Sequence, residues 1–178
     1  YLKILGRSFG VALLTTVLCL VCGYPLAYFI AFASPKYKTL FLILLVIPFW
    51  TNFLIRTYAW IAILQDQGLL NRALLQMGLI QQPLNLLYTL KAVMLGMVYG
   101  YLPFMVLPIY ASLEKLNPAL LEASMDLGAN RVKTFLHVTI PLTAPGIVAG
   151  LILVFVPTIG EFVIPDILGG AKSVLIGN

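Results

Sequence analysis

The sequence predicts an all-α protein, a polytopic transmembrane helical bundle, and three observations carry that expectation. Of the 178 residues, 61% are hydrophobic and 10% are charged, against roughly 45–50% and ~25% in a domain that faces water. Mean hydropathy is +1.02. The apolar residues also fall into four blocks, each long enough for the ~20-residue helix that crosses a ~30 Å hydrocarbon core. Lipid is therefore the solvent for much of the surface.

The first block, Phe9 to Ala33, is free of charge and gives a span over 9–33. It contains Cys19 and Cys22 in a C-x-x-C pattern. A bilayer disfavours the thiolates that redox or metal chemistry requires, so the pair is expected to pack as small hydrophobes. The chain opens on Tyr1-Leu2-Lys3 without an initiator Met, and the block is longer than a signal-peptide h-region. The chain therefore reads as an excerpt without a signal peptide.

A tight hairpin follows, Ser34-Pro35-Lys36-Tyr37-Lys38, whose proline ends one helix and whose lysines suit the membrane surface. The second block, Thr39 to Leu64, is apolar apart from Arg56 and gives a span over 39–64. Between 65 and 91, Gly68, Gly78 and Pro83 interrupt a partly apolar stretch that holds one short surface helix, Leu69 to Leu79. The third span covers 88–113, with no charge from Ala92 to Leu113, and the fourth covers 141–163, with none from Thr139 to Gly160. Helix-weakening residues recur in all four blocks, among them Pro25, Pro48, Pro103, Pro108, Pro145 and Pro157, as suits a bundle that moves.

The connection 114–138 is the most polar part of the chain and holds its single histidine, His137. Asn117-Pro118 reads as an N-cap and first helical position, and Gly128 as the stop. Glu122 is placed where an acid favours the dipole of the first helical turn. A second short helix over about 130–138 is expected to be broken by Pro141.

Charge counting leaves orientation open. The side with the hairpin and the polar loop carries Lys36, Lys38, Lys115, Arg131 and Lys133; the other carries Lys3, Arg7, Arg72, Lys91 and Lys172. The positive-inside bias does not separate them.

Several function classes fall away on composition. A formal charge of +5 is scattered between apolar blocks rather than gathered on a stripe, which argues against nucleic-acid binding. One histidine cannot build a His-rich metal site, and no nucleophile and base stand at a usable spacing, so an enzyme is not expected. No G-x-x-x-x-G-K-[ST] loop is present, which puts any ATP hydrolysis on another chain. An ion channel or ion-coupled secondary transporter fits the spans equally well.

The polar loop separates these readings. It runs Glu122-Ala123-Ser124-Met125-Asp126-Leu127-Gly128, then, after nine residues, Val138-Thr139-Ile140-Pro141. This resembles the E-A-A-x3-G-x9-I-x-L-P signature of the permease subunits of ABC importers, with departures at Ser124, Val138 and Ile140. In that family the loop is a coupling helix seated on the ATP-hydrolysing subunit. The resemblance implies ATPase coupling for Glu122, Ala123, Ser124, Gly128 and Pro141. It implies three kinds of partner: cytoplasmic ATPase subunits that hold ATP and Mg, a second permease subunit and a periplasmic substrate-binding protein. This chain would itself carry no cofactor. The loop would face the cytoplasm of a multi-pass protein in the bacterial inner membrane, and the four spans would belong to a six-span type I core, the first and last lying outside the chain.

Three further stretches resemble the spermidine and putrescine permeases: 48–56 (PFWTNFLIR), 102–108 (LPFMVLP) and 168–172 (LGGAK). They imply a polyamine solute; permeases for other small solutes belong to related branches. Candidate pathway or gate residues are Trp50, Asn52, Arg56, Tyr99, Glu161 and Asp166. A cation inside a span needs a partner or a wet cavity, which leaves three readings for Arg56 and Glu161. They form a gate pair; or Glu161 and Asp166 attract ammonium groups; or Arg56 snorkels outward and Glu161 caps a helix broken at Gly160. Trp50, Tyr58, Trp60, Tyr99, Tyr101 and Phe104 present ring faces suited to a cation, though Trp60 equally suits an interfacial belt.

Overall fold

The computed structural model describes residues 2–170, with side chains from Ile4 onward. Every element among the described residues is a helix. Three helices, Ile4–Ala31, Leu90–Glu114 and Arg131–Ile159, are long and apolar enough to cross a membrane. A fourth crossing is available if the helices flanking a break at Thr51 and Asn52 form one span.

The chain falls into two compact units. The first comprises residues 1–15, 46–100 and 156–178. It holds the start of α1 (Leu2–Ala31), a 3-10 turn (Ile47–Trp50), α3 (Phe53–Leu64), α4 (Leu69–Gln76), the start of α5 (Leu90–Glu114) and α9 (Val163–Gly169). Its core gathers Leu64, Val93, Met97, Ile164 and Leu168, all nearly or fully buried. The buried Thr15 hydroxyl lies 3.8 Å from the sulfurs of both Met94 and Met97. Gly96 lets α9 approach α5, since a Cβ there would stand 2.6 Å from Leu168 Cδ1.

The second unit comprises residues 16–45 and 101–155. It contains the rest of α1 and of α5, most of α2 (Pro35–Val46), then α6 (Pro118–Asp126), α7 (Arg131–Thr134), a π-turn (Phe135–Thr139) and most of α8 (Ile140–Ile159). Ile30, Met105, Val106, Ile109 and Val154 form its core. Lipid is as apolar as leucine, so helices in it associate through close packing at small residues. A Cβ on Gly150 would stand 2.7 Å from Met105 Sδ, and one on Gly23 3.1 Å from Met105 Cγ. Other large apolar side chains point outward: Val21 and Phe29 on α1 and Ile152 and Leu153 on α8 are all exposed. Cys19 is buried and Cys22 exposed, both as free thiols.

Two helix boundaries differ from expectation. In place of one helix over 39–64, α2 gives way to the 3-10 turn, and Thr51 and Asn52 are extended at ψ 151° and 133° before α3 begins. Pro48 supplies no N–H for a helical bond, and the helix ends within a turn of it. Pro141, by contrast, breaks nothing. The helix runs from Arg131 to Ile159, and the residues before Pro141 wind as a π-turn, in which the Ile140 N–H reaches back five residues to the Phe135 carbonyl. The wider turn accommodates a ring that would otherwise collide with the carbonyl four residues earlier. The predicted surface helix appears as α4, and the loop helix as α6.

The tight approach at Gly146, where a Cβ would collide with the Pro108 carbonyl and Ser112, gives a direct stability test. Gly146→Val is expected to destabilise the detergent-solubilised protein by about 1–3 kcal/mol, seen as a lower thermal midpoint. Gly10→Ala, with nothing within 4 Å of the added methyl, should leave the midpoint unchanged or raise it.

Candidate functional site

The polar loop is built by caps. Asn117 Oδ1 accepts from the Ala119 N–H at 3.0 Å, with Pro118 opening α6. Helix α6 ends where Gly128 adopts φ +88°, a left-handed conformation that a side chain would strain. The Ala129 N–H then closes back on the Ser124 carbonyl at 3.1 Å. Asn130 Oδ1 accepts from the Lys133 N–H at 2.8 Å and starts α7. The two short helices are tied by the Ser124 and Thr134 hydroxyls, 3.1 Å apart.

Glu122 and Ala123 are exposed on α6. Glu122 lies in the second turn, since α6 starts at Pro118 and has no acid in its first turn, so the expected dipole role does not apply to it. Pro141 is exposed in the first turn of α8. An open concavity of about 440 Å³ is lined by Leu120, Ala123, Ser124, Leu127, Val138 and Leu142. Beside it Leu127 is 90% exposed, an unusual state for a leucine in the most polar segment of the chain.

The second group of candidates collects around the break after α2. Trp50 is 87% exposed. Asn52 is the N-cap of α3, accepting from the Leu54 N–H at 2.8 Å, and lies one turn before Arg56, whose N–H bonds the Asn52 carbonyl at 3.1 Å. The half-buried Arg56 guanidinium donates to the Pro48 carbonyl at 3.1 Å and lies 4.4 Å from the Phe49 ring, 5.5 Å from Phe53 and 5.8 Å from Tyr99. Tyr99 meets Trp60 edge-on at 5.3 Å. A desolvated cation gains from ring faces and from a carbonyl left without its helical donor. Arg56 and Tyr99 are thus brought together.

Glu161 stands in the break between α8 and α9. Its Oε1 accepts from the Val163 N–H at 2.9 Å and the Ile164 N–H at 3.4 Å. It therefore caps the start of α9, just past the break at Gly160. Asp166 is exposed in the first turn of α9, where the dipole favours a negative charge. Of the 168–172 stretch, Ala171 and Lys172 lie outside the described residues.

Other contacts carry no sequence signal. Asn71 is fully buried and bonds the Leu84 backbone at both N–H (2.9 Å) and carbonyl (3.0 Å). Lys38 reaches Glu114 at 3.3 Å, and the Tyr110 hydroxyl donates to the same carboxylate oxygen at 2.6 Å. Tyr24 and Thr143, far apart in the chain, share a buried hydrogen bond of 3.0 Å. No group of three metal-ligating side chains occurs among the described residues.

Comparison with known proteins agrees with the loop. Residues 23–177 match the family described as binding-protein-dependent transport system inner membrane component. The chain belongs to this family. Relatives of this inner membrane component include the spermidine/putrescine transport system permease protein PotB of Salmonella typhimurium strain LT2, 50% identical over all 178 residues and 62% of the relative's length. The protein of the same name from Escherichia coli K12 is 49% identical over the whole chain and 65% of its own length. The inner membrane ABC transporter permease protein YdcU of Escherichia coli K12 is 36% identical over 98% of this chain and 59% of its own. The chain thus spans about 62% of the first of these relatives.

The two roles open to Glu161, cap and charge, separate by substitution. Glu161→Gln keeps a carbonyl acceptor for the α9 N–H groups and is expected to leave thermal stability near normal. Glu161→Ala removes it and should destabilise by about 1 kcal/mol, measured as the melting midpoint in detergent. Equal loss in both variants would assign the effect to charge.

Proposed function

We propose that this chain is the core of a permease subunit in an ATP-driven importer fed by a binding protein, and that it translocates polyamines such as spermidine or putrescine by alternating access. The observation that carries the proposal is identity of about half the residues over the whole chain with proteins named as spermidine/putrescine permeases. The loop geometry supports it, because α6 is a capped helix ending at a left-handed glycine and presenting small residues beside an apolar concavity.

In this reading the loop faces the cytoplasm and Glu122, Ala123, Ser124, Gly128 and Pro141 meet or position the ATPase subunit. The hairpin at 34–38 lies on the same side, and 65–91 lies outside. Spans 9–33, 39–64, 88–113 and 141–163 form the membrane core, with a second permease subunit completing the pathway and a periplasmic protein delivering solute. Closure of the ATPase subunits moves the loop and opens the core to the other face. Trp50, Asn52, Arg56, Tyr99, Glu161 and Asp166 serve the pathway or its gate. The exposed Trp50 ring and the exposed Asp166 carboxylate are suited to an alkylammonium group.

A second reading, another small solute, is favoured by the 36% identity to a permease whose name specifies none. ATPase assays on the reconstituted full-length complex, with binding protein and individual polyamines, distinguish them. Stimulation by spermidine or putrescine is expected; no stimulation by any polyamine would overturn the solute and leave the family intact.

Because Ala123 is exposed, Ala123→Trp should leave the membrane helices folded and weaken ATPase association by roughly tenfold or more, checked by co-purification and titration.

A further inference from the structure

We propose that Tyr24 and Thr143 are positioning residues that transmit movement of the α6–α7 loop to α1 through the π-turn, and so set how much solute moves per ATP hydrolysed. This rests on the importer reading above.

The π-turn lies just before Pro141, which has no N–H to offer the carbonyl four residues back. Turns of this kind are rare and locally looser than an α-helix, and they recur at functional sites. This one sits between two groups of contacts. On the loop side, the buried Thr134 immediately precedes it and bonds Ser124 of α6 at 3.1 Å. On the membrane side, the fully buried Thr143 hydroxyl donates to the Thr139 carbonyl at 2.8 Å, at the last residue of the turn. A hydroxyl has one proton. With that proton on Thr139, the 3.0 Å contact with Tyr24 is a donation from the tyrosine to Thr143 Oγ1.

Helix α1 thus holds the turn at both ends. Tyr24 bonds the helix just beyond it, and the rings of Tyr24 and Tyr28 meet Phe135, its first residue, edge-on at 5.6 and 5.8 Å. A displacement of α6 reaches Thr134 through Ser124. It then either carries α1 along or is absorbed by rewinding the π-turn. The Tyr24–Thr143 hydrogen bond resists the second outcome, because rewinding would turn Thr143 away from α1.

The test is solute transported per ATP hydrolysed in the reconstituted complete importer, with complex assembly and ATPase rate measured alongside. Tyr24→Phe keeps the ring contacts and removes the hydroxyl; Thr143→Val removes the acceptor at similar volume. Each is expected to lower the transport-to-hydrolysis ratio by roughly threefold to tenfold, the loss expected for one buried hydrogen bond, while hydrolysis continues. Thr143→Ser, which retains the hydroxyl, should recover the ratio, and the double variant should be no worse than either single one. A wild-type ratio in both single variants overturns the proposal, as does a parallel fall in transport and hydrolysis at constant ratio, which marks a structural role only. A wild-type complex that hydrolyses ATP without moving solute overturns the importer reading itself, and this inference with it.

Discussion

In hydrocarbon, a backbone N–H or carbonyl without an internal partner costs several kcal/mol, and several of the polar side chains in this chain supply such partners where helices stop. Helices satisfy it by themselves. Where a helix stops, a side chain takes over the bond. Asn52 serves the first turn of α3, Glu161 the first turn of α9, and Asn117 and Asn130 the two loop helices. Thr51 and Arg56 both donate to the carbonyl of Pro48 at the break after α2. No buried side-chain nitrogen or oxygen among the described residues lacks a partner.

The same constraint shapes the candidate pathway. A transporter needs helices that can part, and discontinuous helices put polar backbone at membrane depth only where protein or a watery cavity satisfies it. The two breaks, at 51–52 and 160–162, both lie in the first unit. They hold four of the six residues that composition and resemblance single out: Trp50, Asn52 and Arg56 around the first, and Glu161 at the second. Capping and solute handling are compatible duties for such residues, because a side chain that fixes a helix end also fixes where that end points its dipole.

Much of this was legible from sequence, because lipid imposes coarse and readable rules. Apolar block length pointed to three helices long enough to cross a membrane, Asn117-Pro118 and Gly128 placed α6, and Gly68 placed the start of α4. The failures share a cause. Pro141 was expected to break a helix because the rule for proline is local, whereas the helix here continues through it after a π-turn, as other helices continue through Pro25, Pro103 and Pro108. Pro48 was counted as weakening yet compatible with a span, and there the chain leaves the helix at Thr51 and Asn52. Tyr24 with Thr143, Lys38 with Glu114, and Asn71 with Leu84 are contacts between distant segments, and no pattern within one segment signals them. Arg56 was legible as a cation needing a partner, and the contacts the structure gives it are a carbonyl and three rings.

The polar loop between α5 and α8 divides its tasks among its residues. Its ends are fixed by asparagine caps, its two helices by the Ser124–Thr134 bond, and its exit by a left-handed glycine. Beside exposed charges such as Glu122, Asp126, Arg131 and Lys133 it also exposes apolar side chains: Leu127 at 90%, Val132 at 64% and Leu120 at 47%. Burying one such side chain contributes roughly 1.5–3 kcal/mol, far more than an exposed ion pair at Glu122 would, at 0–1 kcal/mol. On the proposed function, association with the ATPase subunit is therefore driven by the leucine and valine side chains. The small residues at 123 and 124 allow the close approach, and the acid contributes chiefly to orientation. A surface held rigid by its own caps loses little entropy on docking, which favours a fixed geometry of association on that proposal.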